Sequence, residues 1–217
     1  MSFMKRIILR EKRFFVYLMI GIVLVSLSVS AQAYSTCGYK LKGSWWDERY
    51  YVTSQSVNYN GSVVHYGNIT SSAVSAWNNA VNSSSGHSLD ISLQQTTQGL
   101  SANTRVVVLP ENRGATGWRG FTYYYDYDSM TDEWNVINPG GYPNQNYRSG
   151  FAVINVHYVH NNSSWKIQNT IMHEMGHAFG LKHSSISGAL MVSNSADYTS
   201  LKLPQSDDVN GVRHIYE

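Results

Sequence analysis

The sequence predicts an α+β domain, on three observations. Two long segments carry apolar residues at helical spacing, about four short runs are rich in aromatic and β-branched residues, and no internal repeat or low-complexity linker interrupts them. A chain of 217 residues is long enough for one well-buried core and too short for two comfortable ones.

The first element is not part of the fold. Lys5, Arg6, Arg10, Lys12 and Arg13 precede an uncharged apolar run from Phe14 to Val29, and Ala31-Gln32-Ala33 is a small-x-small cleavage signature. Residues 1–33 therefore read as a secretory signal peptide cut after Ala33, and the A-x-A signature favours this over an uncleaved anchor. Removing those five basic residues and Glu11 leaves 11 Lys+Arg against 13 Asp+Glu, a net charge of −2. The basicity of the whole chain belongs to the leader, which argues against nucleic acid or an anionic membrane as partner of the mature protein. Cys37 is the single cysteine, so no intrachain disulfide can form.

Arg49 to Tyr59 reads as the first strand. Ile69 to Val81 reads as a helix, with Ile69, Ala73, Ala76, Trp77 and Ala80 on one side and Thr70 or Ser71 as cap. Asp90 to Thr96 and Thr104 to Pro110 read as short strands. Glu111 to Arg148, full of Gly, Asn, Asp and Tyr, reads as a functional surface loop or irregular rim. Gly150 to Val159 is the next strand, and Asn162, Ser163 or Ser164 can cap a helix starting near Trp165.

That helix carries the chemistry. From Lys166 to Phe179, Ile167, Ile171, Met175 and Ala178 or Phe179 hold the apolar positions. His173 and His177 lie one turn apart on one face, so both imidazoles can reach one cation. Glu174 points about 100° round the helix, where it can address a water without being a ligand. Gly180 supplies a left-handed helix end, and the returning chain brings His183 to complete a three-histidine set. Three neutral nitrogens with a fourth position open suit a catalytic zinc rather than a closed structural one. The five fixed positions of HExxHxxGxxH arise by accident with probability on the order of 10^-5, which sets aside coincidence.

HEMGHAFGLKH, residues 173–183, resembles the metzincin signature, and Met191 in SGALMVS (187–193) resembles the methionine turn that follows it. LKLPQSDDVNGVRHIYE, residues 201–217, is similar to the C-terminal helix of the matrixin subfamily: Ser206 as cap, Asp207 and Asp208 in the first turn, and Val209, Val212 and Ile215 as buried stripe. The resemblance is to the short bacterial matrixin type, without propeptide or hemopexin domain, and it covers most of Arg49 to Glu217. It implies a zincin-like fold over residues 34–217: a small twisted mixed β-sheet, an active-site helix, a second long helix and a C-terminal helix.

It also implies a secreted zinc endopeptidase acting on extended peptides or proteins, probing its substrate as a monomer. His173, His177 and His183 would hold the metal, Glu174 would serve as general base, and Met191 would form an apolar floor. In similar enzymes the strand before the active-site helix takes the peptide as an added strand, a role that falls to Ala152–Tyr158. Three departures limit the transfer. Val192 and Ser193 replace the Tyr-Pro common in animal matrixins, the PRCGxPD latency motif does not occur, and Cys37 lacks the flanking Arg and Asp that would mark it as a latent zinc ligand. His157 and His160, three apart on an expected strand, would face opposite ways and form no second zinc site. Asp126, Asp128, Asp132 and Glu133 offer hard oxygen ligands for Ca2+ but lack the spacing of a calcium loop, so a solvated acidic loop is the alternative. The competing function is an extracellular protein- or glycan-binding module using the Tyr123–Tyr147 region, and the retention of Glu174 argues for the enzyme.

Overall fold

A computed structural model describes residues 34–43, 48–83, 91–101, 103–193 and 198–217. The leader falls outside them. Among the described residues no helix is long and apolar enough to cross a membrane.

Among the described residues, eight strands and four helices follow in the order β1 (Arg49–Val52), β2 (Val57–Tyr59), β3 (Ser62–Val64), α1 (Tyr66–Asn82), β4 (Gln94–Gln95), β5 (Thr104–Glu111), β6 (Gly120–Asp128), β7 (Glu133–Ile137), β8 (Ser149–Asn155), α2 (Val156–Val159), α3 (Ser164–Ala178) and α4 (Ser206–Tyr216). Six strands form one mixed sheet in the order β4-β1-β5-β8-β6-β7. The first four are parallel, while β6 and β7 run antiparallel to their neighbours. The fold is the α+β, metzincin-like arrangement that the sequence predicts.

Most elements differ from expectation at their edges, for local reasons. Arg49–Tyr59 is two strands, because Asn60 and Gly61 both take positive φ and fold Val57–Tyr59 back onto Ser62–Val64 as a hairpin. α1 starts at Tyr66, three residues early; neither Thr70 nor Ser71 caps it, and the Gln55 carbonyl receives the Gly67 N–H instead. Of the expected Asp90–Thr96 strand, Asp90 lies outside the described residues, and among the rest Gln94–Gln95 pairs with β1. The expected rim between Glu111 and Arg148 contains the β6–β7 hairpin. There, Thr122 and Tyr124 face the helices, while Phe121, Tyr123, Tyr125 and Tyr127 alternate onto the other face. The Gly150–Val159 strand ends at Asn155, whose side chain accepts the His157 N–H and starts the short turn α2.

The core lies between the sheet and the pair α1–α3. Trp77 of α1, fully buried, stands edge-on to Phe179 with ring centroids 5.2 Å apart and donates its indole N–H to the Met172 carbonyl at 3.0 Å. That bond pins one turn of α3 just ahead of His173. Burying an aromatic of this size contributes on the order of 2–3 kcal/mol, and the indole hydrogen bond keeps its polar atom satisfied.

Candidate metal centre

Helix α3 buries Ile167, Ile171, Met172, Met175 and Ala178, and with them His173, Glu174 and His177. Ser163 is the N-cap residue, without a side-chain capping bond. The helix ends as a complete Schellman motif: Gly180 N–H donates to the His177 carbonyl at 2.8 Å, and Leu181 N–H donates to that of Gly176 at 3.0 Å. Gly180 has φ 97°, and a Cβ there would meet the Tyr39 carbonyl oxygen at 2.8 Å, so the bend needs glycine twice over. The chain then returns and carries His183 to the helix.

The three imidazoles converge. One ring nitrogen from each of His173, His177 and His183 lies within 4.8 Å of the others, and His177 Nε2 is 3.3 Å from His183 Nε2. Two ligands of a tetrahedral zinc, each about 2.0–2.1 Å from it, are separated by about this distance. His173 Nδ1 is 2.9 Å from the Leu190 carbonyl oxygen, and His177 Nδ1 is 2.8 Å from that of Leu181. A carbonyl only accepts, so both Nδ1 atoms carry the proton and both Nε2 atoms keep a lone pair for a metal. Burial lowers all three histidines, His173 to about 4 and His177 well below its usual value. The imidazoles are therefore neutral at physiological pH, as metal ligation requires. Both the donor set and its protonation fit a zinc ion.

Glu174 sits beside this cluster. Its Oε2 accepts the Thr122 hydroxyl of β6 at 2.8 Å, while the same hydroxyl lies 3.0 Å from the Glu174 backbone carbonyl. Burial pushes its carboxyl up to about 8, against the opposing pull of the Thr122 hydrogen bond. Gly120 is what makes room: a Cβ there would lie 2.6 Å from both Cγ and Oε1 of Glu174. Gly120 carries no sequence signal of its own, because the strand it opens reads as loop.

Supporting residues come from farther along the chain. Met191 is buried, and its sulfur packs so close to Gly176 that a Cβ on that glycine would lie 2.2 Å away. Asp208 of α4 accepts the backbone N–H groups of Leu190 at 2.9 Å, Met191 at 3.0 Å and Gln205 at 2.8 Å. Asp208 thus closes the capping box of α4, with Gln205 and not Ser206 as N-cap, and holds the turn whose Leu190 carbonyl orients His173. Asp207 accepts the Ser184 hydroxyl at 2.6 Å, next to His183. Sequence reading placed both aspartates only as first-turn charges.

Other candidates lie elsewhere. β8 is paired on both sides, with β5 and β6, so Ala152–Tyr158 has no free edge for a peptide. The free edge at the cleft is the first half of β6, because β7 pairs only from Tyr124 onward. His157 and His160 belong to a helical turn rather than a strand, and both pack against Tyr59. Asp126 pairs with Lys42 at 2.5 Å, Asp132 accepts the Tyr127 hydroxyl, and Asp128 caps the Met130 N–H, so these carboxylates serve separate partners. The Cys37 thiol donates to the Tyr39 carbonyl, and burial raises its pKa. Among the described residues, the three histidines are the only group of His, Cys, Asp or Glu gathered closely enough to share a metal.

A cleft of about 520 Å³ opens over the cluster, walled by Trp118 to Thr122 on one side and Gly140 to Tyr142 on the other. Three converging histidines at the foot of a cleft have the donor chemistry of a hydrolytic metal centre. The sequence profile of the family described as Matrixin matches residues 47–217, and the chain belongs to the matrixin family. It is a zinc metalloendopeptidase, acting on peptide or protein substrates.

Proposed function

We propose that His173, His177 and His183 hold the zinc, that Glu174 is the general base, and that the enzyme is secreted after loss of residues 1–33. The observation that carries the assignment is the convergence of three neutral imidazole nitrogens with Glu174 alongside, in the floor of the cleft. When bound, zinc supplies a Lewis acid that acidifies a water and polarises the scissile carbonyl.

The chain's own residues do the rest. Glu174 takes the proton of the attacking water on a carboxylate oxygen and later delivers it to the leaving amine. Thr122 donates to Oε2, so one carboxylate oxygen is held and the other is left without that bond. The unpaired edge of Gly120–Tyr123 offers main-chain donors and acceptors to an extended substrate, which adds to the sheet as one more strand. Such recognition reads backbone before side chain, which suits an endopeptidase on extended protein segments. The leader and its A-x-A site support export, and the net charge of −2 beyond it supports neither nucleic acid nor an anionic membrane as partner. The mature enzyme works as a monomer in this reading.

The test is Glu174→Ala. The variant should still bind one zinc per chain while losing peptide cleavage by at least about 10^2-fold, the scale of general-base catalysis. Wild-type turnover in this variant removes Glu174 from the mechanism, and a wild-type chain that binds no zinc removes the histidine assignment.

A further inference from the structure

Between β5 and β6 the chain leaves the sheet for residues 112–119, and the last of these, Gly117 to Arg119, line the cleft just ahead of Gly120. The loop is exposed over most of its length, and Gly114 and Gly117 take left-handed φ of 67° and 84°, which lets it double back on itself. Such a segment keeps one shape only where outside anchors offset the entropy of ordering it.

Those anchors come from the far end of β8. Asn155 is fully buried, and its side chain is turned into the loop. Its Oδ1 accepts the Arg113 N–H at 3.0 Å and the His157 N–H at 3.2 Å. Its Nδ2 faces three oxygens: the Gly114 carbonyl at 3.0 Å, the Thr116 hydroxyl at 2.9 Å and the Trp118 carbonyl at 3.3 Å. Backbone donors on one side and carbonyl acceptors on the other fix the orientation of the amide, and a carboxylate could serve only the first set. The Asn155 backbone N–H donates to the Arg119 carbonyl at 2.8 Å, one step beyond the pairing of Gly120 with Ile154. From α2, the Tyr158 hydroxyl oxygen accepts the Gly117 N–H at 2.9 Å. The grip thus runs from Arg113 to Arg119 and sets where β6 begins. The Trp118 ring meets Phe121 with centroids 6.0 Å apart, so the wall that the loop forms continues onto β6.

We propose that Asn155, assisted by Tyr158, is a positioning residue for the substrate: it holds the 112–119 loop as the cleft wall and fixes the start of the free edge of β6. The proposal rests on the reading of Gly120–Tyr123 as the edge that takes the substrate as an added strand. It gives the site two separate supports, with Asp208 acting on the metal turn and Asn155 on the bound peptide.

The experiment compares zinc-loaded wild type, Asn155→Asp, Thr116→Val and Tyr158→Phe on peptide substrates lengthened one residue at a time on each side of the scissile bond. Asn155→Asp keeps the shape and the acceptor for Arg113 and His157 but sets an acceptor against the Gly114 and Trp118 carbonyls. It should raise KM about tenfold for peptides long enough to reach the loop, the scale of one or two net hydrogen bonds. The lost binding is shared by ground and transition states, so kcat should stay within about twofold, and the shortest cleaved peptide should lose nothing. Tyr158→Phe and Thr116→Val each remove one anchor and should raise KM for long peptides about threefold. Thr116 is exposed and Tyr158 partly so, and these two variants decide should Asn155→Asp not fold. A role in stability alone would lower turnover of every peptide alike. That pattern, or variants whose KM follows the wild type at every length, overturns this proposal alone. A wild-type KM indifferent to peptide length overturns the edge-strand reading and this proposal with it.

Discussion

The burial of Glu174 makes a prediction that separates its chemical role from its structural cost. In the metal-free protein its carboxyl is pushed from 4.5 to about 8 because folding strips it of water. Since the folded-state pKa lies above the unfolded one, Glu174 costs nothing below about pH 4.5 and destabilises the fold increasingly as pH rises towards about 8. Each pH unit between the two values costs about 1.4 kcal/mol, so the full penalty above pH 8 is on the order of 5 kcal/mol as an upper bound. Glu174→Gln removes the charge, nearly keeps the shape, and leaves an amide oxygen to accept the Thr122 hydroxyl. The chelated variant should therefore melt at higher temperature than the chelated wild type at pH 9, by several degrees at about 2–4 °C per kcal/mol for a domain of this size. At pH 4.5 the two should melt together. The assay is thermal unfolding by circular dichroism across pH 4 to 9 in excess chelator. Coincident melting curves at pH 9 would refute the argument, because a solvated Glu174 carries no such penalty.

Two further substitutions test the supports. Gly120→Ala places a methyl within 2.6 Å of the Glu174 side chain; a displacement of this kind costs about 10^2-fold in kcat/KM, with zinc content unchanged, as measured by peptide hydrolysis and metal analysis. Asp208→Ala strips the acceptor from three backbone N–H groups. It should cost on the order of 2–4 kcal/mol in urea unfolding and weaken zinc binding through the freed Leu190 carbonyl, while Asp208→Asn, which keeps an acceptor oxygen, recovers part of both.

The centre was far more legible in the sequence than the sheet around it, and the difference is physical. His173, Glu174, His177, Gly180 and His183 sit on one helix and its Schellman bend, so fixed spacing translates directly into fixed geometry. The β6–β7 hairpin was missed because both faces of its strands carry tyrosine: Tyr124 points into the core and Tyr123 and Tyr125 away from it, so polarity does not alternate although burial does. That the expected edge at Ala152–Tyr158 is covered has a related reason, since which strand ends up outermost depends on pairings that no local pattern encodes. Asp208 looked like a helix-dipole residue because its partners at Leu190 and Met191 are 18 and 17 positions away. Gln205 outcompeted Ser206 as cap because the capping box needs its acid at the third helical position, and from Gln205 that position is Asp208.

One physical cause prepares ligands and base together. Removal from water disfavours charge, so the same burial lowers the histidines and raises the glutamate. The imidazoles are thereby delivered as neutral donors, with Leu190 and Leu181 carbonyls holding the proton on the far nitrogen. Glu174, by contrast, is held in its acid form at neutral pH unless positive charge sits beside it. A cation held by the three nitrogens would favour the carboxylate that the proposed chemistry requires, so metal and base would act together. Mutating Glu174 relieves a buried charge while removing zinc takes away a ligand of the folded state, so the two should abolish the same activity through opposite effects on stability.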